Sequence, residues 1–283
     1  MFDGVHLGHL EVIRRAVGLA GINQEPCSLV TFDRHPATVV APERAPLAVS
    51  SLDQNLERFE SASVDVCVVL PFDANMANVS ADEFFRTVLE SKLAAKRIVV
   101  GHDFAFGHNR EGTPEWLAER IETTVVPPFE IAGHRVSSSA IRQAVIAGSI
   151  NEANLLLGHM FCLRGIVGHG EKLGRQLGYP TVNLNLGIRQ VVPAHGIYVG
   201  LAKTRLGSFG AAISVGTRPT VGGDSVTVEA HLLDYPGDDI YGSVVDLQFV
   251  SRVRDELKFS NLDELTTQIG LDVEVVRTAL SAH

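Results

Sequence analysis

At 283 residues and 45% hydrophobic, the chain is long enough for two ordinary domains, or one large one, with real cores. A formal charge of −9 argues against a general nucleic-acid binder or a binder of acidic membranes, and no apolar run is long enough to span a bilayer. Cys27, Cys67 and Cys162 are widely spaced in apolar surroundings and read as buried thiols of a reducing compartment; with no opening signal peptide, a cytoplasmic protein is expected.

The chain opens MFDGVHLGH, and an amphipathic run follows: Leu10, Val12, Ile13, Val17 and Leu19 among Glu11, Arg14 and Arg15. This predicts a turn feeding a helix, with His6 and His9 at its entrance. Free N–H groups and the helix dipole favour an anion there. Gly4 and Gly8 belong to the same turn, Gly8 leaves room for a phosphate, and two imidazoles three residues apart can donate to its oxygens. The rival readings are a metal pair, which has no obvious third ligand, or two surface histidines.

Short β-rich runs come next, at 27–32, 65–70, 97–100 and 124–126, with helical stretches between them at 53–61, 81–94 and 113–121. Ser80 followed by Glu83 fits a capping box. The alternation predicts an α/β domain with a parallel sheet covered on both faces. Ligands in such folds sit beyond the carboxyl ends of the strands, so the loops at 33–36, 71–73 and 101–110 matter most. In the last loop, GHDFAFGHNR, Phe104 and Phe106 either plug the sheet edge or stack on a planar ligand that Asp103 hydrogen-bonds. His102 and His108 read as exposed. In RVSSSAIR (135–142), Ser137, Ser138 and Ser139 open another helix, with Arg142 one turn in, a set able to hold a polyphosphate. A helix at 144–157, with a hint of a break at Gly148 and Ser149, leads to a boundary near 158.

Beyond it, alternating runs at 161–167, 196–202, 210–215, 226–232 and 244–250 predict a small antiparallel barrel or sandwich, closed by a helix at 263–279. The segment GHGEKLGRQLGYPTVN (168–183) lacks the P-loop's GK-Ser/Thr. Gly168, Gly170, Gly174 and Gly178 still make a phosphate-accessible lid credible, and Lys172 and Arg175 add positive charge. Glu229, in VEAHLLDY, sits in a strand-type alternation that can present its carboxylate outward; an ordinary exposed sheet carboxylate is the rival reading.

FDGVHLGH resembles the nucleotide-binding signature of bacterial bifunctional riboflavin kinase/FAD synthetases, and HLGH more widely the HxGH of nucleotidylyl transferases. Ser137 to Arg142 resembles the same family's S/T-S-S/T-x-x-R. Pro180, Thr181 and Asn183 resemble its P-T-A-N, with Val182 in place of alanine, and GTRPT (216–220), PAHGIY (193–198) and VEAHLLDY follow its order. The resemblance implies a nucleotidylyl-transferase-like domain over 1–158 and a riboflavin-kinase barrel with a C-terminal helix over 159–283. It implies small-molecule chemistry on ATP, riboflavin and FMN with Mg²⁺, giving FAD. Its first half would adenylylate FMN, with charge neutralised by His6, His9 and Arg142 and the nucleotide and flavin lined by Gly4, Gly8, Asp103, Phe104, Phe106 and the three serines. Its second half would phosphorylate riboflavin. Glu229 is then the base, Thr181 and Asn183 hold Mg²⁺ and ATP phosphates, and Gly168, Gly170, Lys172, Gly174 and Arg175 line the nucleotide. Arg218 would serve loop architecture or a phosphate; His231 reads as structural and Tyr198 as barrel packing.

One departure is that family members carry an apolar strand and a glycine before Phe-Asp-Gly, where this chain has Met1. The expectation is that the true protein starts earlier, and that adenylyl transfer is weak if Met1 is the real start. A kinase with a degenerate first domain and a non-catalytic flavin or nucleotide binder are the rival functions. A dinucleotide dehydrogenase is disfavoured, because no GxGxxG follows an opening strand.

Overall fold

The computed structural model describes residues 1–170, 173–220, 223–237 and 239–281, and contacts divide the chain into two units, Met1–Ser138 and Ser139–His283.

In the first unit α1 (Leu7–Asn23) leads to β1 (Ser28–Phe32), α2 (Ala37–Val40), α3 (Leu52–Ser61) and β2 (Val66–Leu70). There follow α4 (Ala74–Ala77), α5 (Ala81–Phe84) running on as a π-type helix over Phe85–Lys92, β3 (Arg97–Gly101), α6 (Pro114–Ala118), β4 (Glu122–Val126) and the hairpin β5 (Glu130–Ile131), β6 (His134–Arg135). β1 pairs with β2 and β3 with β4, both parallel and in unbroken register. The expected parallel sheet is present as two separate pairs, because no strand among the described residues bridges β1 and β3.

Side-chain caps explain several helix starts. Ser51 and Gln54 form a full reciprocal capping box at α3, and Asp73, Ser80 and Thr113 each accept from the N–H three residues on. The core of this unit gathers Val5, Ile13, Leu29 and Phe59, while Phe85, Val100 and Leu117 form another cluster under the 101–110 loop.

α7 (Ser138–Ile146) starts on the last residue of the first unit and runs into the second, and Gly148, at φ +74°, separates it from α8 (Ile150–Leu157), where the sequence hints at a break. Then come β7 (Phe161–Gly168), α9 (Leu173–Gln176), β8 (Thr181–Leu186), β9 (Gly196–Thr204), β10 (Gly207–Thr220), β11 (Gly223–Leu232), β12 (Val244–Arg254) and α10 (Leu262–Ser281). The six strands close as a barrel in the order β10-β11-β8-β7-β12-β9, deciding barrel over sandwich. β8 is a strand that the alternating runs above do not include. Its pattern is regular all the same, with Thr181, Asn183 and Asn185 on one face and Val182, Leu184 and Leu186 on the other.

The barrel interior is filled by Leu163, Tyr198, Ile213, Leu247 and Phe249, each fully buried. α10 lies over the outside, where Val273 and Val276 pack with Val199 and Leu233. Arg254 on β12 grips Asp272 of α10 through both carboxylate oxygens, at 2.9 and 2.5 Å, with Asp272 only 4% exposed.

Candidate active sites

In the first unit the turn before α1 is built on left-handed backbone: Gly4 at φ +85° and Val5 at +41°. A β-branched residue there is strained. Full burial of Val5 and the Asp3 carboxylate hold it. Asp3 is 4% exposed and accepts from the N–H groups of Val49 (2.9 and 3.1 Å) and Ser50 (3.3 Å), while its carbonyl accepts from the Ser138 hydroxyl at 2.9 Å. The turn delivers His6 to the N-cap of α1, where its Nδ1 accepts the His9 N–H at 3.2 Å. α1 thus starts earlier than the amphipathic run implies. Because Nδ1 of His6 accepts, a neutral ring carries its proton on Nε2.

The rings of His6 and His9 stack at 3.6 Å between centroids, 16° from parallel. Gly8 permits this: a Cβ there would sit 3.3 Å from the His6 ring. The space at Gly8 is therefore filled by imidazole, whereas the spacing alone suggests room for phosphate. His9 stands edge-on to Phe2 at 5.1 Å, and its Nδ1 is buried without a hydrogen-bond partner among the described residues. Burial, and next the neighbouring His6, hold its pKa well below the usual 6.5. That nitrogen is an unsatisfied buried polar atom at the entrance of α1.

In the 101–110 loop, Asp103 is paired with Arg135 at 2.7 Å. Phe104 and Phe106 stack at 5.6 Å, and Phe106 also packs against Phe84, Trp116 and Gly112. Phe106 therefore sits within an aromatic cluster of the protein, with Phe104 on its edge. His102 and His108 are exposed. The serine motif is divided between the units: Ser137 and Ser138 fall in the first, while Ser139 and the half-buried Arg142 lie on α7 in the second. Asp33, at the end of β1, accepts the N–H of Phe72 at 2.9 Å and so ties two of the strand-end loops together.

In the second unit β8 and β11 run antiparallel with Asn183 opposite Glu229 and Thr181 opposite His231. Val228, Ala230 and Leu232 point into the barrel, so Glu229 and His231 share the outer face with Thr181 and Asn183. The Thr181 hydroxyl donates to Glu229 Oε2 at 3.1 Å. Gly168 is the last residue of β7 and lies opposite Asn183, so it is wall rather than lid. The chain beyond it folds back over this face. A Cβ on Gly170 would strike the Asn183 carboxamide, and one on Gly174 would strike the Tyr179 carbonyl and stand 3.5 Å from the Thr181 hydroxyl. These glycines are required by close approach to the paired residues. Arg175 is exposed on α9; Lys172 lies outside the described residues, as does the side chain of Arg218.

Thr181, Asn183 and Glu229 offer only oxygen and amide donors, the hard set that suits Mg²⁺. Beside the end of β8 a cavity of about 280 Å³ is lined by Leu184, Asn185, Leu186, Val192, Val226 and Val228.

Two positions support these sites: Asp3 has no role in the sequence reading, and His231 only that of a structural residue. Asp3 braces the histidine turn, and His231 bonds the Pro180 carbonyl at 2.9 Å. Both act on main-chain groups distant in sequence, which no local pattern reveals. The only available signal for His231 was its period-two offset from Glu229.

Residues 1–140 match the family model described as FAD synthetase, and residues 157–280 the one described as riboflavin kinase. Bifunctional riboflavin kinase/FMN adenylyltransferase of Haemophilus influenzae is 36% identical over 98% of this chain and 91% of its own length. The protein of that name from Escherichia coli K12 is 36% identical over 96% of this chain and 88% of its own length. A solved structure described as a macrolide-efflux protein from Streptococcus pneumoniae superposes with a TM-score of 0.88 at 35% identity, covering 98% of this chain and 91% of that one. Among the described residues no helix is long and apolar enough to cross a membrane.

Proposed function

The chain belongs to the bifunctional riboflavin kinase/FMN adenylyltransferase family, and from that premise we propose how its two units divide the work. The second unit transfers the γ-phosphoryl group of ATP to the riboflavin 5′-hydroxyl, giving FMN and ADP. The first joins FMN to the α-phosphorus of ATP, giving FAD and pyrophosphate.

The observation that carries the kinase reading is the Thr181–Glu229 hydrogen bond on a face shared with Asn183. Glu229 is the base that takes the proton from the attacking hydroxyl. The hydrogen bond from Thr181 occupies one carboxylate oxygen and turns the side chain along the sheet. Thr181 and Asn183 would hold Mg²⁺, which when bound offsets the negative charge of the ATP phosphates. Gly170 and Gly174 let the main chain close over the phosphates.

In the first unit no protein nucleophile is needed, and rate comes from alignment and charge neutralisation. The stacked His6 and His9 rings meet the phosphates at the entrance of α1. An arriving polyanion favours the charged imidazole, opposing the burial that keeps His9 neutral without it. By the family resemblance, Ser137, Ser138, Ser139 and Arg142 would also bind phosphate. We take the working domain boundary to be near residue 158, just after the riboflavin kinase match begins at residue 157. Three free cysteines fit the reducing cytoplasm.

The test is to incubate the chain with riboflavin, ATP and Mg²⁺ and to separate the flavins. FMN and FAD should both form. In Glu229→Gln, FMN formation should fall by at least about a hundredfold, in line with loss of a general base, while FAD still forms from supplied FMN. Persistence of both activities in that variant refutes the assignment of the base.

A further inference from the structure

We propose that His231 is a positioning residue of the phosphoryl-transfer site, holding the Pro180–Thr181 backbone through its Nδ1–H so that Thr181 meets Glu229 and the ATP phosphates. This rests on the kinase reading of the β8–β11 face. His231 stands on that face two residues after Glu229 and directly opposite Thr181. Its Nδ1 lies 2.9 Å from the Pro180 carbonyl. A carbonyl only accepts, so Nδ1 bears the proton and the ring donates. Proline has no N–H, so the ladder between the strands cannot extend through its nitrogen, and the imidazole secures the strand's entry from the carbonyl side. The ring is itself set by Tyr179, edge-on at 5.4 Å. Tyr179 in turn packs with the α10 cluster, and a Cβ on Gly270 of α10 would stand 3.0 Å from its hydroxyl.

A connected path therefore runs from α10 through Tyr179 and His231 to Pro180, Thr181 and Glu229. Every link is a packed ring, a hydrogen bond or the Pro180–Thr181 peptide bond. What the path governs is the placement of the Thr181 hydroxyl, which faces the nucleotide. Its loss should be felt in the affinity for MgATP far more than in the affinity for riboflavin.

Side-chain chemistry makes the test selective, since the amide nitrogen of Asn reaches the place of Nδ1 and that of Gln the place of Nε2. His231→Ala should raise KM for MgATP about fivefold, the ratio that an average lost hydrogen bond produces, with KM for riboflavin held within about twofold. His231→Asn should restore KM for MgATP and His231→Gln should not. FAD formation from supplied FMN, measured on the same samples, reports that the chain is folded. If the Ala variant does not fold, the contrast between Asn and Gln decides alone. Equal rescue by Asn and Gln overturns the proposal. So does an unchanged KM for MgATP in His231→Ala, or a parallel rise in both KM values with a fall in Tm. Absence of FMN formation by the unsubstituted chain would instead overturn the kinase reading beneath it.

Discussion

Gly170 and His9 show what single positions contribute. At Gly170 the constraint is space: a methyl group would land on the carboxamide of Asn183. Gly170→Ala should therefore lower riboflavin phosphorylation about tenfold, by displacing by a fraction of an ångström the side chain proposed to hold metal and phosphate. Steady-state FMN production against unaltered FAD formation from FMN checks it. At His9 the constraint is charge. The folded unit keeps the ring neutral well below pH 6.5, whereas the unfolded chain protonates near that value. The folded state then binds fewer protons, so stability falls as pH drops from about 6.5 toward the lower folded pKa. His9→Gln should flatten that acid limb, which melts at about pH 7.5 and pH 5.5 would reveal. His6, His9, Thr181, Asn183 and Glu229 are legible in the chain because each lies in a short motif whose chemistry is local. Asp3 and His231 are not, since their partners are backbone groups about 46 and 51 positions away.

Among the elements, α10 has the least intrinsic claim to its place. It depends on the apolar contacts of Val273 and Val276 and on the grip of Arg254 on Asp272. With side-chain exposures of 19% and 6%, that pair is largely out of water, and removing one partner leaves a charge stranded. Asp272→Ala should destabilise the second unit by about 3 kcal/mol, measurable by denaturant unfolding. Because Tyr179 shares the α10 cluster, riboflavin phosphorylation should weaken in parallel. The helix itself is visible in its apolar spacing, and the break between α7 and α8 in Gly148. β8 alternates regularly but continues the glycine-rich 168–183 segment, whose glycines and Pro180 favour a loop reading. The π-type run over Phe85–Lys92 is hidden for another reason, since its side chains suit an ordinary helix equally well.

For the whole molecule, two family matches in series imply two chemistries that fail separately. His6→Ala should cut FAD formation from FMN by about tenfold or more while riboflavin phosphorylation continues, the reverse of Glu229→Gln. Chromatography of the flavins from both variants measures the pair. The fold class of each half is readable from the rhythm of its strands, alternating with helices in one and with turns in the other. Closure into a barrel is not, because it depends on β8 joining β7 to β11.

The closed second sheet and the paired strands of the first differ in one more respect. A barrel has no loose margin, whereas β1 and β3 are each hydrogen-bonded to one strand only among the described residues. Such margins recruit strands from neighbouring molecules. On gentle heating, turbidity should therefore begin in the amino-terminal half while the carboxy-terminal half stays dispersed. Limited proteolysis of the heated suspension should release intact barrels from a precipitate enriched in residues 1–138.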